Sequence, residues 1–149
     1  MYKHILVPTD GSKLSLKAAR EAASLARALK AKITAVYVTE SWMPPMLMEG
    51  AMVRGSLEQD RAAYDAATEK AAQAALGKVR KAAADGKVKC ETVSISDSPW
   101  EGILKVAKQK KCDVIVMGSR GHGVVAGALL GSVTAKVLSN SKTPVLVCR

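Results

Sequence analysis

Five short runs rich in β-branched residues, separated by stretches with helical spacing, constrain the fold of this chain more than any other feature. They are residues 4 to 8 (His-Ile-Leu-Val-Pro), 33 to 38 (Ile-Thr-Ala-Val-Tyr-Val), 88 to 95, 113 to 117 (Asp-Val-Ile-Val-Met) and 145 to 148. Nearly continuous apolar runs of this length, rather than strict alternation, suit parallel strands covered on both faces. Between the first two, Leu14, Ala18, Ala22, Leu25, Ala26 and Leu29 recur at helical spacing over residues 14 to 30. Ser56 and Gln59 stand as a capping box ahead of a long Ala-rich stretch that Asp85-Gly86 ends. A third helix is marked by Ser98 as N-cap, Pro99 at the first helical position and Glu101 at the third. A last one is expected from about Ser132 to Ser139, before Pro144 starts the terminal strand.

Five strands alternating with four helices predict an α/β fold, an open five-stranded parallel sheet with helices on both faces. Ligands in such sheets bind beyond the carboxyl ends of strands, at the switch point where neighbouring crossovers go to opposite faces. Two loops stand there with suitable chemistry: Pro8-Thr9-Asp10-Gly11-Ser12 after the first strand, and a glycine-rich run after Met117. The length of 149 residues makes one domain, 1–149, the default. The N-terminus lacks an apolar leader with a cleavage site, and no apolar window approaches a membrane span, so a cytoplasmic protein without a membrane partner is expected. Cys90, Cys112 and Cys148 are odd in number and widely spaced, which suggests reduced packing residues and neither a disulfide framework nor a zinc site.

The glycine-rich run spans Gly118 to Thr134, with Gly121, Gly123, Gly127 and Gly131 inside it. Glycines let backbone amides approach an anion with no Cβ in the way. Gly131-Ser132 opens the last helix, whose free amides and dipole favour negative charge by about 0.3 to 1 kcal/mol. Ser132 and Thr134 add hydroxyls, and Ser119, Arg120 and His122 can supply further donors. The alternative is that these glycines are only turns. Neither the Walker spacing G-x-x-x-x-G-K-[ST] nor the dinucleotide fingerprint G-x-G-x-x-G occurs.

The spacing of Gly118, Gly121, Gly131 and Ser132, G-x-x-G followed by nine residues and G-S, resembles the nucleotide-binding signature of universal stress proteins. The resemblance covers the whole chain. The opening Tyr-Lys-His-Ile-Leu-Val-Pro-Thr-Asp, the Asp-Val-Ile-Val-Met-Gly-Ser-Arg-Gly segment, Leu-Leu-Gly-Ser-Val-Thr and the final Thr-Pro-Val-Leu-Val match in order and spacing. It implies the Rossmann-like, adenine nucleotide alpha hydrolase-like fold, and the subgroup that binds ATP with Mg²⁺ on its phosphates. Carried over, it places Gly118, Gly121, Gly131, Ser132 and Val133 around the phosphates and ribose, and Asp10 on the ribose hydroxyls. Thr9, Val38 and Met117 would line the adenine side, with Pro8 counted among the cofactor-binding residues. Many family members pair their terminal strands antiparallel across a two-fold axis, which implies a homodimer through Val145 to Cys148, an otherwise exposed apolar edge. A nucleotide-dependent sensor in the stress response, read by an unidentified protein partner, is the function so implied.

Asp10 also suits the N-cap of the first helix, with Ser12 as the alternative cap. His122 suits either phosphate contact or plain solvation, and His4 reads as structural. Residues 42 to 53 hold four of the six methionines and suit either a lid or a cover for the adjacent helix. Lys108-Gln109-Lys110-Lys111 reads as the basic close of the third helix. No catalytic triad, acid–base pair or protein metal cage is recognisable, so no catalytic or metal residue is assigned and any ATP hydrolysis should be slow. An adenylyl transferase or ATP pyrophosphatase would carry H-x-G-H or S-G-G-x-D-S near the first strand, where Pro8-Thr9-Asp10-Gly11-Ser12 stands. The net charge of +10 favours anionic partners, yet five scattered aromatics are a poor platform for stacking bases, which disfavours nucleic acid.

Overall fold

Alternate residues of the central strands face opposite layers, and the two layers fill with different helices. The computed structural model describes residues 1–44, 57–123 and 129–149. In order the elements are β1 (His4–Pro8), α1 (Lys13–Leu29), β2 (Lys32–Thr39), α2 (Leu57–Asp85) and β3 (Cys90–Ser96), then α3 (Pro99–Gln109), β4 (Val114–Gly118), α4 (Ser132–Asn140) and β5 (Val145–Cys148). All strand pairs are parallel, in the order β3-β2-β1-β4-β5. Ile5, Val7, Ile33, Ala35, Val114 and Val116 pack against α1 and α2, while Leu6, Val36, Ile115 and Met117 pack against α3 and α4. Burying a side chain such as Ile5, Leu6 or Ile115, each fully enclosed, contributes roughly 1.5–3 kcal/mol.

The chain steps outward from β1 through β2 to β3, then returns across β1 to β4 and β5. A right-handed crossover in each direction puts α1 and α2 on one face and α3 and α4 on the other. The switch point therefore falls between β1 and β4. α1 approaches the sheet through Ala18, Ala19, Ala22, Ala23 and Ala26, all buried, and α2 buries Ala72, Ala75, Leu76, Val79 and Ala83 at helical spacing.

The elements expected from the sequence form, with local differences. Ser12 caps α1, its hydroxyl accepting from Ser15 N at 3.2 Å. At α3, Pro99 occupies the first turn, but the Ser98 hydroxyl turns to the Glu101 carboxylate and makes no bond to a backbone amide. β4 starts one residue later than expected because the Asp113 carboxylate accepts from the amides of Lys3 and His4, at 2.8 and 3.1 Å. After α2 the left-handed residue is Lys87 (φ 56°) rather than Gly86. A Cβ on Gly86 would meet only ordinary van der Waals contacts, among them Ala23 Cβ of α1 at 3.5 Å. Lys108 lies in the last turn of α3 and Lys110 pairs with Glu91, in line with the basic close of that helix. His4 is buried, with Nε2 2.8 Å from Thr34 Oγ1. Ser56 and residues 45 to 53 of the methionine-rich stretch lie outside the described residues.

Candidate functional site

The carboxyl ends of β1 and β4 splay apart at the switch point, and a cavity of about 520 Å³ opens between them. That is the size of an ordinary small-molecule site. Pro8, Thr9 and Asp10 line it from the β1 end, Val38 from the end of β2, and Met117 and Gly118 from the end of β4. Arg120, Gly121 and His122 follow in the loop, and Gly131, Ser132, Val133 and Thr134 close the circuit at the start of α4. Ser119 stands apart from the other residues expected here. It is buried beneath the loop, donating its amide to Cys148 O and accepting from Gly131 N, both at 2.7 Å. It fastens the loop to β5 and to the start of α4, and its side chain is not part of the cavity wall.

At α4 the first intrahelical donor is Ala135, bonded to Gly131 O at 2.9 Å. The amides of Ser132, Val133 and Thr134 precede it and have no acceptor within the helix. The Thr134 hydroxyl donates to Gly118 O at 2.9 Å, so it braces the end of β4, and its amide is the group left for a ligand. Arg120 adds a positive charge, and its Nε is buried with no hydrogen-bond partner among the described residues. A buried guanidinium nitrogen without an acceptor is costly, and an anion would satisfy it.

Space is tight at three of the glycines. A Cβ on Gly121 would lie 2.2 Å from Asp10 Oδ2, one on Gly118 3.1 Å from the Leu14 carbonyl oxygen, and one on Gly131 3.2 Å from Arg120 Cα. Gly11 has φ +83°, which lets the β1 loop turn sharply into α1.

Asp10 is the hinge between the two loops. Its Oδ1 accepts from Ser12 N and its Oδ2 from His122 N, both at 2.9 Å, and His122 Nε2 lies 2.9 Å from the Asp10 carbonyl oxygen. Asp10 is thus not the helix cap, and His122 is engaged with the opposite loop rather than merely solvated. Burial pushes the Asp10 carboxyl up, but bonds from the hydroxyl and amide of Ser12, the amide of His122 and the hydroxyl of Ser15 outweigh it and hold it below its ordinary value. The group is ionised at neutral pH and accepts hydrogen bonds only.

Several wall residues carried no signal in the sequence. Tyr37 extends from β2, Tyr64 and Thr68 from α2, and Ile103 from α3. The Tyr64 hydroxyl donates to Glu40 O at 2.7 Å, tying α2 to the end of β2. Burial, then Asp10 and Tyr64, raise the Tyr37 phenol above its ordinary value, so it stays protonated and can donate. Only the packing of α2 against the sheet brings Tyr64 and Thr68 to the wall.

Comparison with known proteins agrees with this arrangement along the whole chain. The family model described as the universal stress protein family matches residues 1–149. A universal stress protein of Methanocaldococcus jannaschii is 37% identical over 149 residues, covering 100% of this chain and 83% of that one. The structure of the universal stress protein UspA from Lactobacillus plantarum is similar at a TM-score of 0.74 and 28% identity, covering 99% of this chain and 98% of that one. A universal stress protein solved in complex with cAMP is similar at a TM-score of 0.66 and 28% identity, covering 98% and 95%. With sheet, loop order and full-length similarity in agreement, this chain belongs to the universal stress protein family.

Proposed function

We propose that the chain binds ATP in the cavity between β1 and β4 and acts as a nucleotide-dependent sensor or regulatory module. The observation that carries this reading is the Arg120 Nε, buried without a partner among the described residues, on a residue that lines the same cavity as the start of α4. The phosphates would lie on Gly118, Gly121, Arg120 and the amides of Ser132, Val133 and Thr134, with Mg²⁺ held through the phosphates. Charge-assisted bonds of about 1.5–3 kcal/mol each are strong enough to hold a triphosphate after desolvation. Asp10, ionised and able only to accept, suits ribose hydroxyls, while Thr9, Val38 and Met117 suit the base.

The same reading includes a cytoplasmic homodimer through Val145 to Cys148 and an unidentified protein that reads the nucleotide state. Hydrolysis, if any, would be slow, because Asp10 is held ionised by donors and is a weak general base. A second reading, an adenine nucleotide with a single phosphate, draws support from the related protein solved with cAMP.

The test is gentle purification, denaturation and chromatography of the released nucleotide, with Gly131→Val and Ser132→Leu combined in a parallel preparation. We expect ATP from the wild type and at least about tenfold less from the variant, given the loss of two or more charge-assisted bonds. Released AMP or cAMP would favour the second reading. Equal nucleotide in both preparations would remove the site assignment.

A further inference from the structure

Six cationic side chains meet at the opposite end of the sheet. Lys3, Arg27, Lys30, Lys32, Lys87 and Lys89 line a cavity of about 530 Å³ at the amino ends of β1, β2 and β3. Lys32 N donates to Lys3 O at 3.0 Å and Ile33 N to Lys89 O at 2.8 Å, so three lysines on adjacent strands stand side by side. Like charges on neighbouring strands repel. All six residues are exposed. The ion pairs among the described residues use other cations: Arg61, Lys81, Lys105 and Lys110. The carboxylates around them have other partners: Asp113 accepts from the amides of Lys3 and His4, Asp85 pairs with Lys81, and Glu91, which also feels Lys32, pairs with Lys110.

Cations at the carboxyl ends of helices ordinarily answer the helix dipole, and Arg27, Lys30 and Lys87 stand at the ends of α1 and α2. The magnitudes do not match. Each helix end carries about half a negative charge, so two ends offset roughly one of six positive charges. The carbonyls there are already taken, Ala26 and Arg27 by the amides of Lys30 and Ala31, Ala83 and Ala84 by those of Val88 and Lys87. Lys3, Lys32 and Lys89 stand at strand starts, where the net dipole is small.

We propose that this cavity is a second anion site, taking a short condensed-phosphate chain. A concave wall with lysines from three segments can follow several phosphoryl groups at once, and Arg27 adds a forked donor. Its walls offer no aromatic face on which a nucleic-acid base would stack. The site is independent of the nucleotide reading, because it lies at the other end of every strand.

The test is titration of ¹⁵N-labelled protein with tripolyphosphate, with orthophosphate and a single-stranded oligonucleotide as comparisons. We expect saturable shifts at the amides of Lys32, Lys87 and Lys89, with tripolyphosphate bound at least about tenfold more tightly than orthophosphate, as several charge-assisted contacts require. Lys32→Glu with Lys89→Glu should abolish those shifts and leave the response of Gly118, Gly121 and Ser132 to ATP unchanged. The milder pair Lys32→Gln with Lys89→Gln gives the same comparison should charge reversal impair folding. Absent or non-saturating shifts in the wild type, or shifts that survive both pairs, would overturn the proposal. Tighter binding of the oligonucleotide than of tripolyphosphate would replace it with a nucleic-acid surface.

Discussion

His4 sits where a strand start, a lysine and a carboxylate meet, and its charge state couples to folding. Burial pushes its imidazole below the ordinary 6.5 and Lys32 lowers it further, while Asp113, the backbone of Lys110 and Glu91 act the other way without restoring it. The unfolded chain therefore binds the proton more readily than the folded one. His4 contributes stability that is complete above about 6.5 and is lost as pH falls through that value toward the lower folded one. The midpoint of urea unfolding should decline as pH falls from about 7.5 to 5.5, and His4→Gln should flatten that slope. A wild-type midpoint constant over the window, or a variant with the same slope, would sink the assignment. The structural role of His4 was legible from its place in the first strand. The partner that fixes it, Thr34, lies on the next strand, and only the register of β1 with β2 brings the two together.

Two helical glycines separate local propensity from packing. Gly77 in α2 has nothing within 4 Å of where a Cβ would stand, whereas a Cβ on Gly102 in α3 would lie 2.8 and 2.9 Å from the two γ-methyl carbons of Val38. Gly77→Ala should stabilise the protein by roughly 0.5–1 kcal/mol, because only backbone entropy is at stake. Gly102→Ala should destabilise it by about 1–3 kcal/mol, since β-branched Val38 cannot easily rotate away. It should also weaken nucleotide binding, because Val38 lines the cavity. Thermal melts and a nucleotide titration of both variants check this, and a stabilised Gly102→Ala would show that α3 can retreat from the sheet. The elements themselves were legible because β-branched runs and caps are local signals, as Pro99 and Ser12 illustrate. Gly102 was not, since its reason is a contact with Val38, 64 positions earlier in the chain. The place of Ser119 was hidden for the same reason: its partner Cys148 belongs to a strand that reaches it only once β4 and β5 pair.

At the scale of the molecule, the parallel order β3-β2-β1-β4-β5 leaves β5 with a neighbour on one side only among the described residues. Pro144 and Cys148 direct their carbonyls to β4, accepting from Ile115 N and Ser119 N at 2.8 and 2.7 Å. Alternation along a strand then turns the amides and carbonyls of Val145 and Val147 outward. Leu146 is 45% exposed, so the edge offers an apolar side chain together with unpaired backbone groups, a surface that soluble proteins usually cover. The glycine-rich loop is tied to this edge through Ser119 and Cys148, so pairing of two β5 strands would also hold the end of the loop in place. Val147→Pro removes an outward amide while leaving the ladder to β4 intact, a substitution edge strands tolerate. Light scattering at micromolar concentration should find the wild type dimeric and this variant monomeric, with circular dichroism unchanged. A monomeric wild type, or a variant that remains dimeric, would exclude β5 as the pairing edge. If the loop depends on that edge, the monomeric variant should also bind nucleotide more weakly, by up to about tenfold for the loss of one positioned charge-assisted bond.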